Sequence, residues 1–537
     1  MDRPLSAYLG YQNMPKVPGH PEAKRGGFGD KKTVRFLHCH SQDYSSFETY
    51  RRVEFQCTSA FLLLLCIPCV FLIFLSAARA YTDIMGSLQN TVPPFRLLVA
   101  GGSYAGLSFV VNLLDICNGR SPRMAHEPYS HHPDFTRIPV DITIVDERDG
   151  YFHLIGSPLA LASSDYAAKT WIKFQDIPAL QRPNIRFVQG SLDKINTTAK
   201  SATVLSHITK IPQDISYDFM VSATGLRRPW PVVPQSLLRK QFLLEAEEQI
   251  HAVHNAPDGV VIVGGGAVGI EMAAELKLVK PDADVTLVHS REKLLSSENL
   301  SEECKDVALD LTREAGVEVL LNHRVAETRK LDVPEGSRAR YEVEFTSGEK
   351  RFASEVIMAV SRPVPSTGYL PAETLDEEGY AKVDSSLFLE GVSNSDFHLV
   401  AGDACKWEGI KRAGGAMHMG HMAAINAHQR MIAILAKEKG LEHKPEFKVL
   451  EAFPPAIGLA VGKKAVAYGP DMGTIHGEEV MEAYFRDDLG FTICYNWMGL
   501  GKSPAEEEEA AVVAAETAAK TAVDITEEAT KVEEIAA

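Results

Sequence analysis

Two glycine-rich stretches of the chain have the residue types and the spacing needed to hold a phosphate group. In each, an apolar run leads into three glycines, and a second apolar run follows. Glycines let the backbone come close to a pyrophosphate, and the start of a helix offers unpaired N–H groups and the positive end of its dipole. The glycines are Gly101, Gly102 and Gly106 in the first fingerprint (RLLVAGGSYAG) and Gly264, Gly266 and Gly269 in the second fingerprint (VIVGGGAVG).

The first fingerprint departs from the G-x-G-x-x-G pattern at one position. Ser103 stands where the middle glycine of the pattern belongs. A side chain there risks a collision with the pyrophosphate, but serine is small. Its hydroxyl can donate a hydrogen bond to a phosphate oxygen, for a net gain of about 0.5–1.5 kcal/mol. We therefore expect the first fingerprint to bind a dinucleotide in spite of the departure.

Dinucleotide-binding units of this kind carry an acidic residue about 20 residues after the glycines, where it accepts hydrogen bonds from a ribose. In the first unit the candidate is Asp146, which ends the strand-like run VDITIVD and comes 45 residues after Gly101. The extra length is a stretch rich in Pro, His and Arg, residues 117–139, without periodicity. We interpret it as an inserted surface loop, and its histidines as solvated side chains rather than metal ligands.

The second unit carries no acid at the corresponding position. Its second strand, DVTLVH, ends at His289 and leads to Arg291. Nothing there repels the 2′-phosphate of NADPH, and Arg291 could pair with it for about 1.5–3 kcal/mol. The sequence therefore predicts that NADPH is accepted at least comparably with NADH.

The remaining chain alternates short apolar strands with helices, which is typical of α/β proteins. One strand ends at Ala223-Thr224-Gly225, and another, in HLVAGD, ends at the G-D turn formed by Gly402 and Asp403. The run GAMHMGHMAAINAHQRMIAIL predicts a helix rich in small residues. The predicted fold class is α/β, with two Rossmann-like dinucleotide-binding domains and a small C-terminal α+β unit.

The order of these motifs resembles the flavoproteins of the glutathione-reductase-like fold, and among them the apoptosis-inducing-factor-like and ferroptosis-suppressor-like branch. The resemblance rests on VIVGGGAVGIEMAAELK, AKTWIKF, FMVSATG and HLVAGDAC, and it covers residues 95–502. It implies that the second fingerprint holds NAD(P)H. It also implies that FAD lies on the first fingerprint and contacts Ser103, Asp146, Gly225, Gly402 and Asp403.

Composition and the resemblance together divide the chain into segments. These are a disordered extension (1–58), an apolar segment (59–80), the FAD-binding domain in two parts (92–226 and 366–440), the NAD(P)H-binding domain between them (227–365), a C-terminal domain (445–502) and an acidic tail (503–537). The tail carries ten acidic and two basic residues and no aromatic residue. That composition is typical of a solvated segment.

Two residues are predicted to act in the reaction because of the resemblance. Lys169, in AKTWIKF, and Glu271, just after the second fingerprint, would face the contact between flavin and nicotinamide. A cation there stabilises the negative charge that hydride transfer brings, and Glu271 would hold the lysine in place. The alternative is an exposed lysine and a glutamate favoured by the helix dipole. His153 is a weaker candidate of the same kind.

The electron acceptor is expected to be an external molecule, because the places where disulfide reductases of this fold carry a cysteine pair have none. Cys405 follows the G-D turn alone and is interpreted as a small buried residue. A quinone-like ring would enter beside the helix that begins near Ala413 and the C-terminal unit, where Tyr495 and Trp497 offer flat apolar surfaces. Two alternatives stay open, a type II NADH dehydrogenase or flavin tailoring enzyme, and a non-catalytic flavoprotein that acts through partners.

Charge and one apolar run bear on the partners of the protein. The net charge of −16 argues against nucleic acid as a main partner. The run AFLLLLCIPCVFLIFLSAA at 60–78 is just long enough to span a bilayer. The polar segment before it is far longer than the start of a normal signal peptide. We expect a membrane-associated protein, or a cytoplasmic one if translation starts at Met85.

Overall fold

The computed structural model of the chain describes residues 93–332, 334, 340–360, 363–407 and 409–510. The predicted extension with its apolar run at 60–78, the start at Met85 and the acidic tail beyond residue 510 lie outside the described residues. Among the described residues, no helix combines the length and the apolar composition needed to cross a membrane. The expected membrane association therefore stays a prediction from the sequence.

Residues 93–227 form most of the larger sheet and begin with one of its inner strands, β1 (Phe95–Ala100). The last four residues of β1 are buried, as in a strand with both faces covered. The other strands of this part are β2 (Val140–Asp146), β3 (Gly150–Phe152), β4 (Trp171–Lys173), β5 (Ile185–Asn196), β6 (Ser201–Ser206), β7 (Pro212–Ser216), β8 (Phe219–Ser222) and β9 (Leu226–Arg227). Its helices are α1 (Tyr104–Cys117), α2 (Ser157–Ala160) and α3 (Ser164–Thr170).

The next part of the chain contains the second dinucleotide fold and a small antiparallel sheet. Its strands are β10 (Val260–Val263), β11 (Val285–Val288), β12 (Glu318–Leu320), β13 (Val325–Lys330), β14 (Tyr341–Phe345), β15 (Lys350–Ala353), β16 (Glu355–Met358) and β17 (Val364–Pro365). Its helices are α4 (Arg239–His254), α5 (Ala267–Val279) and α6 (Glu302–Glu314). All four residues of β10 and of β11 are buried, in keeping with their apolar composition.

The chain then returns to the first sheet through β18 (His398–Val400) and continues into the 26-residue helix α7 (Ala413–Glu438). The C-terminal unit contains β19 (Ile457–Val461), β20 (Lys464–Gly469), β21 (Gly473–Gly477), α8 (Glu478–Tyr484) and α9 (Phe491–Trp497). Single 3₁₀ turns occur at Pro133–Phe135, Leu154–Gly156, Phe174–Asp176, Pro178–Leu180, Ala372–Thr374 and Ser395–Phe397.

The parallel strands of both principal sheets end at the predicted nucleotide-binding turns. The seven-stranded sheet has the order β18-β8-β1-β2-β5-β6-β7, parallel from β18 to β5 and antiparallel beyond. The four-stranded sheet has the order β12-β11-β10-β16 and is parallel throughout. Ligands of open α/β sheets bind at the carboxyl ends of such strands. Two Rossmann-like folds are thus present, and the predicted fold class is confirmed.

Helices α1 and α7 pack directly against each other. A Cβ at Gly420 would lie 2.2 Å from the carbonyl oxygen of Ala105, so only glycine permits this approach. Nearby, Ser108 Oγ donates a hydrogen bond to the carbonyl oxygen of Met417 at 2.7 Å. This contact holds the first turn of α7 beside the first fingerprint.

The loop predicted between the first helix and the second strand is present at residues 118–139. It is not simply solvated, as the sequence suggested. The hydroxyl of Tyr129 lies 2.9 Å from His428 Nδ1, and Gln429 Nε2 donates to the same hydroxyl at 2.7 Å. Both partners belong to α7, so the loop covers part of that helix. Within the described residues, no group of three His, Cys, Asp or Glu side chains is placed to hold a metal ion.

Candidate active site

A cavity lies where the first fingerprint, the first turn of α5, the G-D turn and the first turn of α7 meet. The C-terminal unit closes part of its wall, through side chains that include Tyr484 and Phe485. Seven residues predicted from the sequence line it, namely Gly102, Ser103, Asp146, Gly225, Glu271, Gly402 and Asp403. In the second fingerprint, Gly264 and Gly266 precede α5 and Gly269 lies in its first turn, whose residues Ala267 and Val268 are part of the wall.

The two fingerprint turns show why a serine is accepted in the first of them. Gly101 has a φ of +101°, and a Cβ there would lie 2.4 Å from the carbonyl oxygen of Ala223, so this position requires glycine. Ser103 has a φ of −114°, and its side chain makes no helix-capping hydrogen bond. At the equivalent position of the second fingerprint, a Cβ on Gly266 would meet nothing within 4 Å. The position therefore needs only free space, and Ser103 lines the cavity with its side chain.

Asp146 lies at the end of β2, where the sequence placed it after the inserted loop. The backbone N–H of Gly102 donates to Asp146 Oδ2 at 2.7 Å, and the N–H of Arg148 donates to Oδ1 at 2.8 Å. Burial raises the pKa of Asp146, while the nearby Arg148 and these two N–H groups oppose the rise. The carboxylate is held against the fingerprint turn and faces the cavity, as a ribose-binding acid must.

His289 takes the corresponding place in the second fold. The backbone N–H of Gly265 donates to His289 Nδ1 at 3.1 Å, and His289 Nε2 lies 2.9 Å from Ser296 Oγ. Since Nδ1 accepts a hydrogen bond, the proton of the neutral ring is on Nε2. Burial lowers the pKa of His289, which agrees with a neutral imidazole. Arg291 is exposed two residues further on, and its Nη1 donates to the carbonyl oxygen of Ser296 at 3.2 Å.

The cavity wall carries cations that sequence reasoning missed. Four basic side chains line it, namely Arg148, Arg228, Lys411 and Arg412. Burial raises the pKa of Asp403, and the charges of Lys411 and Arg228 oppose that rise. Lys411 Nζ donates to the carbonyl oxygen of Cys405 at 2.8 Å, and burial lowers the pKa of Lys411. The signal available in the sequence was the basic pair directly before the small-residue helix.

The first turn of α7 adds a further positive potential to the same wall. Arg412 precedes the helix as its N-cap, and Ala413 and Gly414 line the cavity. The first backbone N–H groups of a helix have no partners within it, and the helix dipole places its positive end there. Negative charge on a bound molecule is therefore stabilised at this point.

The structure brings Glu271 to the cavity but not Lys169. Glu271 lines the wall, and burial together with the neighbouring Glu275 raises its pKa to about 8. Lys169 lies in the last turn of α3, is exposed, and is not among the residues that line the cavity. The predicted support of Lys169 by Glu271 is not formed. The reason is local, because the chain buries Trp171 two residues later and turns the lysine toward solvent.

Three aromatic or imidazole side chains singled out in the sequence do not line the cavity either. His153 is fully buried, its Nε2 donates to the carbonyl oxygen of Leu489 at 3.0 Å, and its Nδ1 lies 3.1 Å from the hydroxyl of Tyr104. Burial lowers the pKa of His153 to about 4, so it is a neutral core residue. Tyr495 and Trp497 are half-buried outside the cavity wall, where Tyr484 and Phe485 stand instead.

The described cysteines offer no redox pair to the cavity. They are Cys117, Cys304, Cys405 and Cys494, all of which are buried and in no disulfide bond, and none of them lines the cavity. Burial raises the pKa of the Cys405 thiol to about 12, so it is not a thiolate at neutral pH. The interpretation of Cys405 as a buried thiol is confirmed.

The residues of the cavity fit a bound FAD. The open turn at Ser103 leaves room for a pyrophosphate, Asp146 presents a carboxylate to a ribose, and the basic wall faces the rest of the molecule. The second fold offers a like turn to a second nucleotide, and Glu271 lines the cavity from the helix that follows this turn. The arrangement can therefore bring two cofactors together across one cavity.

Comparisons with known proteins agree with this geometry. The chain matches the pyridine nucleotide-disulphide oxidoreductase family over residues 95–420. It is 47% identical over 423 residues to Oxidoreductase OXR1 of Ajellomyces capsulatus, which covers 78% of this chain and 90% of the relative. It is 30% identical over 261 residues to ferroptosis suppressor protein 1 of Mus musculus, which covers 48% of this chain and 66% of the relative.

A solved structure shares the fold at low sequence identity. The NAD-dependent persulfide reductase from A. fulgidus superimposes with a TM-score of 0.52 at 16% identity, over 72% of this chain and 65% of that one. This likeness concerns the fold alone. The family match and the sequence relatives show that the chain belongs to the pyridine nucleotide-disulphide oxidoreductase family and is an FAD-dependent, NAD(P)H-linked oxidoreductase of its apoptosis-inducing-factor-like branch.

Proposed function

We propose that the protein passes electrons from NAD(P)H, through bound FAD, to a quinone-like acceptor. The observation that carries the proposal is the shared cavity, which joins the first fingerprint to the first turn of α5 and is lined by no described cysteine. The described residues therefore place no cysteine pair at the cavity to accept electrons from the flavin. The electrons must pass to an external molecule. The similarity to ferroptosis suppressor protein 1 supports this assignment.

The chain contributes binding, orientation and charge to this reaction. FAD held by these residues would supply the redox chemistry, namely hydride acceptance and two-electron transfer. Asp146 and Asp403 accept hydrogen bonds from sugar hydroxyls, and Ser103 donates to a phosphate oxygen. Lys411, Arg412 and the N-terminus of α7 stabilise negative charge at the reacting end of the cavity. Glu271 holds a proton on its carboxyl group at neutral pH.

The nucleotide that fits the second fold best is NADPH. In place of the acid that binds a ribose 2′-hydroxyl, the fold presents the imidazole of His289 and, nearby, the exposed Arg291. We expect Arg291→Ala to lower kcat/KM for NADPH about tenfold and to leave NADH turnover unchanged, since a hydrogen bond to a charged group contributes about 1.5–3 kcal/mol. Arg313→Ala, an exposed arginine on α6, is the matched control. An unchanged ratio of NADPH to NADH turnover in Arg291→Ala would show that Arg291 does not bind the 2′-phosphate.

The function itself is tested on the purified full-length protein. It should be yellow, release non-covalent FAD on denaturation, lose its flavin colour when NADPH is added without oxygen, and regain it with a short-chain benzoquinone. If the flavin bleaches but does not recover its colour with quinone, the acceptor is a molecule of another class. A folded, colourless protein that does not bind added FAD would contradict the proposal as a whole. Absence of bleaching would favour the non-catalytic alternative.

A further inference from the structure

Glu275 is a buried carboxyl group that the proposed reaction has not used. Its exposed fraction is 0%, and its Oε2 has no hydrogen-bond partner among the described residues. It follows Glu271 by four positions on α5, so the two side chains lie one above the other on the same face of the helix. Glu271 lines the cavity, and Glu275 stands directly behind it.

Strand β19 runs along this face of α5 and holds both carboxyl groups. The backbone N–H of Gly462 donates to Glu275 Oε1 at 3.2 Å, and the N–H of Ala460 donates to Glu271. Ala460 lies in β19, and Gly462 is the first residue of the turn that follows the strand, so the strand and its turn each supply one donor to the pair. The two glutamates are thus aligned in a row that starts at the cavity and ends at the turn between β19 and β20.

The far end of this row is the buried Gly462, one residue from the solvent-exposed part of the turn. Gly462 is followed by Lys463, which is exposed in the turn between β19 and β20. Two titratable groups act in this neighbourhood, Glu271 on the same helix and Tyr166 on α3, whose pKa is raised in part by the charge of Glu275. Burial raises the pKa of Glu275 to about 8, so both carboxyl groups keep a proton at neutral pH.

We propose that Glu275 is a proton store, a buried carboxyl group that returns a proton to Glu271 during reduction of the acceptor. Reduction of a quinone to a quinol takes two electrons and two protons. The nicotinamide supplies the two electrons and one proton as a hydride, and the carboxyl group of Glu271 supplies the second proton. Glu275 then passes its proton to Glu271, and water at the turn after β19 restores the proton of Glu275. This inference rests on the proposed quinone reductase function.

The test compares Glu275→Gln with the wild type in two half-reactions. Glutamine keeps the acceptor for the Gly462 N–H but cannot release a proton. Flavin bleaching by NADPH should stay unchanged, whereas quinone turnover should fall about tenfold, less than the 10²–10⁴-fold that a direct general acid contributes. Turnover with ferricyanide, which takes electrons without protons, should not change. Glu342→Gln, which removes a buried carboxylate on β14, is the matched control.

The pH dependence of quinone turnover separates a proton store from a purely structural glutamate. Wild-type turnover should fall as the pH rises through about 8, where both carboxyl groups lose their protons. In Glu275→Gln this fall should begin at lower pH, because the charge of Glu275 no longer raises the pKa of Glu271. Equal loss of ferricyanide and quinone turnover, or an unshifted pH profile, would overturn the proposal.

A measurement on the wild-type protein covers the case in which the variant fails to fold. The infrared difference spectrum between reduced and oxidised protein should contain the band of a protonated buried carboxyl group, shifted in D₂O. Absence of that band would also overturn the proton store. If no quinone is reduced while ferricyanide and bleaching behave as expected, the proposed function fails instead, and the two failures are thereby distinguished.

Discussion

His289 occupies in the second dinucleotide fold the place that Asp146 occupies in the first. Asp146 is the last residue of β2, and His289 directly follows β11. Each side chain accepts a hydrogen bond from a backbone N–H of its fingerprint turn, that of Gly265 for His289 at 3.1 Å and that of Gly102 for Asp146 at 2.7 Å. One chain has thus kept the hydrogen bond in both folds but kept the carboxylate only in the first. Because the shared contact does not depend on charge, we expect the histidine at the second site to affect which nucleotide binds there.

His289→Asp is therefore expected to turn the second fold toward NADH. The new carboxylate can accept the N–H of Gly265 as Asp146 accepts that of Gly102, and it repels a 2′-phosphate. We expect kcat/KM for NADPH to fall about tenfold or more, where each factor of ten is about 1.4 kcal/mol, and that for NADH to stay level or rise. Steady-state kinetics with both nucleotides decide this. An unchanged preference would mean that His289 does not face the 2′ position.

Ser103→Gly should bind FAD as tightly as the wild type or more tightly. A Cβ at the equivalent Gly266 of the second fold would meet no atom within 4 Å, so we expect the position of Ser103 to accept either residue. The variant loses one hydrogen bond, from the Ser103 hydroxyl to a phosphate oxygen, which contributes about 0.5–1.5 kcal/mol. The closer approach of the pyrophosphate to the glycine backbone offsets this loss. Fluorescence titration of the apoprotein measures the affinity. Gly266→Ser is the reciprocal variant and should weaken NADPH binding little, whereas a large loss there would show that this position needs glycine.

Sequence reasoning was most successful where the signal is local. The strand, turn and helix of each fingerprint are contiguous, so their pattern predicts both the fold and the turn that faces the nucleotide. Even the distant Asp146 could be found, because a loop without periodicity separates two recognisable elements. At Ser103 the departure from the pattern proved compatible with the turn, because only free space is required there.

The rest of the site depends on contacts between distant parts of the chain. Lys411 and Arg412 reach the cavity because α7 packs on α1 through Gly420, a contact that no local periodicity reveals. The aromatic side chains of the C-terminal unit at the wall are likewise Tyr484 and Phe485, rather than those of the more conspicuous YNW run. Lys169 was assigned through a resemblance in a short motif, and the orientation of its helix turn was not available from that motif.

The first residues of the acidic tail are anchored, and removing the anchor should destabilise the protein. Glu507 is 8% exposed and forms ion pairs with Arg120 at 3.5 Å and Arg123 at 2.9 Å, and with Arg182. Arg120 and Arg123 also pair with Asp115, whereas Glu507 is the carboxylate partner of the mostly buried Arg182. Glu507→Ala therefore leaves Arg182 without its counter-charge, and removing one partner of a buried ion pair costs up to about 3–5 kcal/mol. We expect a clearly lower melting temperature by calorimetry. Glu509→Ala, an exposed neighbour, is the control, and equal melting temperatures for the two variants would contradict the anchor.

The two glutamates on α5, of which Glu275 is buried and Glu271 half-buried, should make the protein less stable as the pH rises. Both Glu271 and Glu275 have their pKa raised to about 8 in the folded state, so the native protein keeps protons that the unfolded chain has lost. Their stabilising contribution is complete below the unfolded pKa and disappears as the pH rises through about 8. Each carboxyl group contributes a slope of about 1.4 kcal/mol per pH unit in that window. Urea unfolding at several pH values should show that the free energy of unfolding declines less steeply with pH in Glu275→Gln than in the wild type. Parallel declines in the two proteins would contradict the raised pKa of Glu275.

Lys411, rather than Lys169, should govern the rate of flavin reduction. Lys411 lines the cavity beside Asp403 and directly before α7, whereas Lys169 is exposed and outside the cavity wall. Removing one charge stabiliser costs about 10²–10³ in rate at comparable electrostatic sites, and since the flavin carries most of the chemistry we expect about tenfold for Lys411→Met. Lys169→Ala should be reduced at the wild-type rate and serves as the matched control. Anaerobic stopped-flow bleaching by NADPH measures both, after the FAD content of each variant has been determined by its absorbance. If flavin reduction is slow in Lys169→Ala and normal in Lys411→Met, Lys169 has the role that the sequence predicted. In that case α3 would present Lys169 to the cavity when both cofactors are bound.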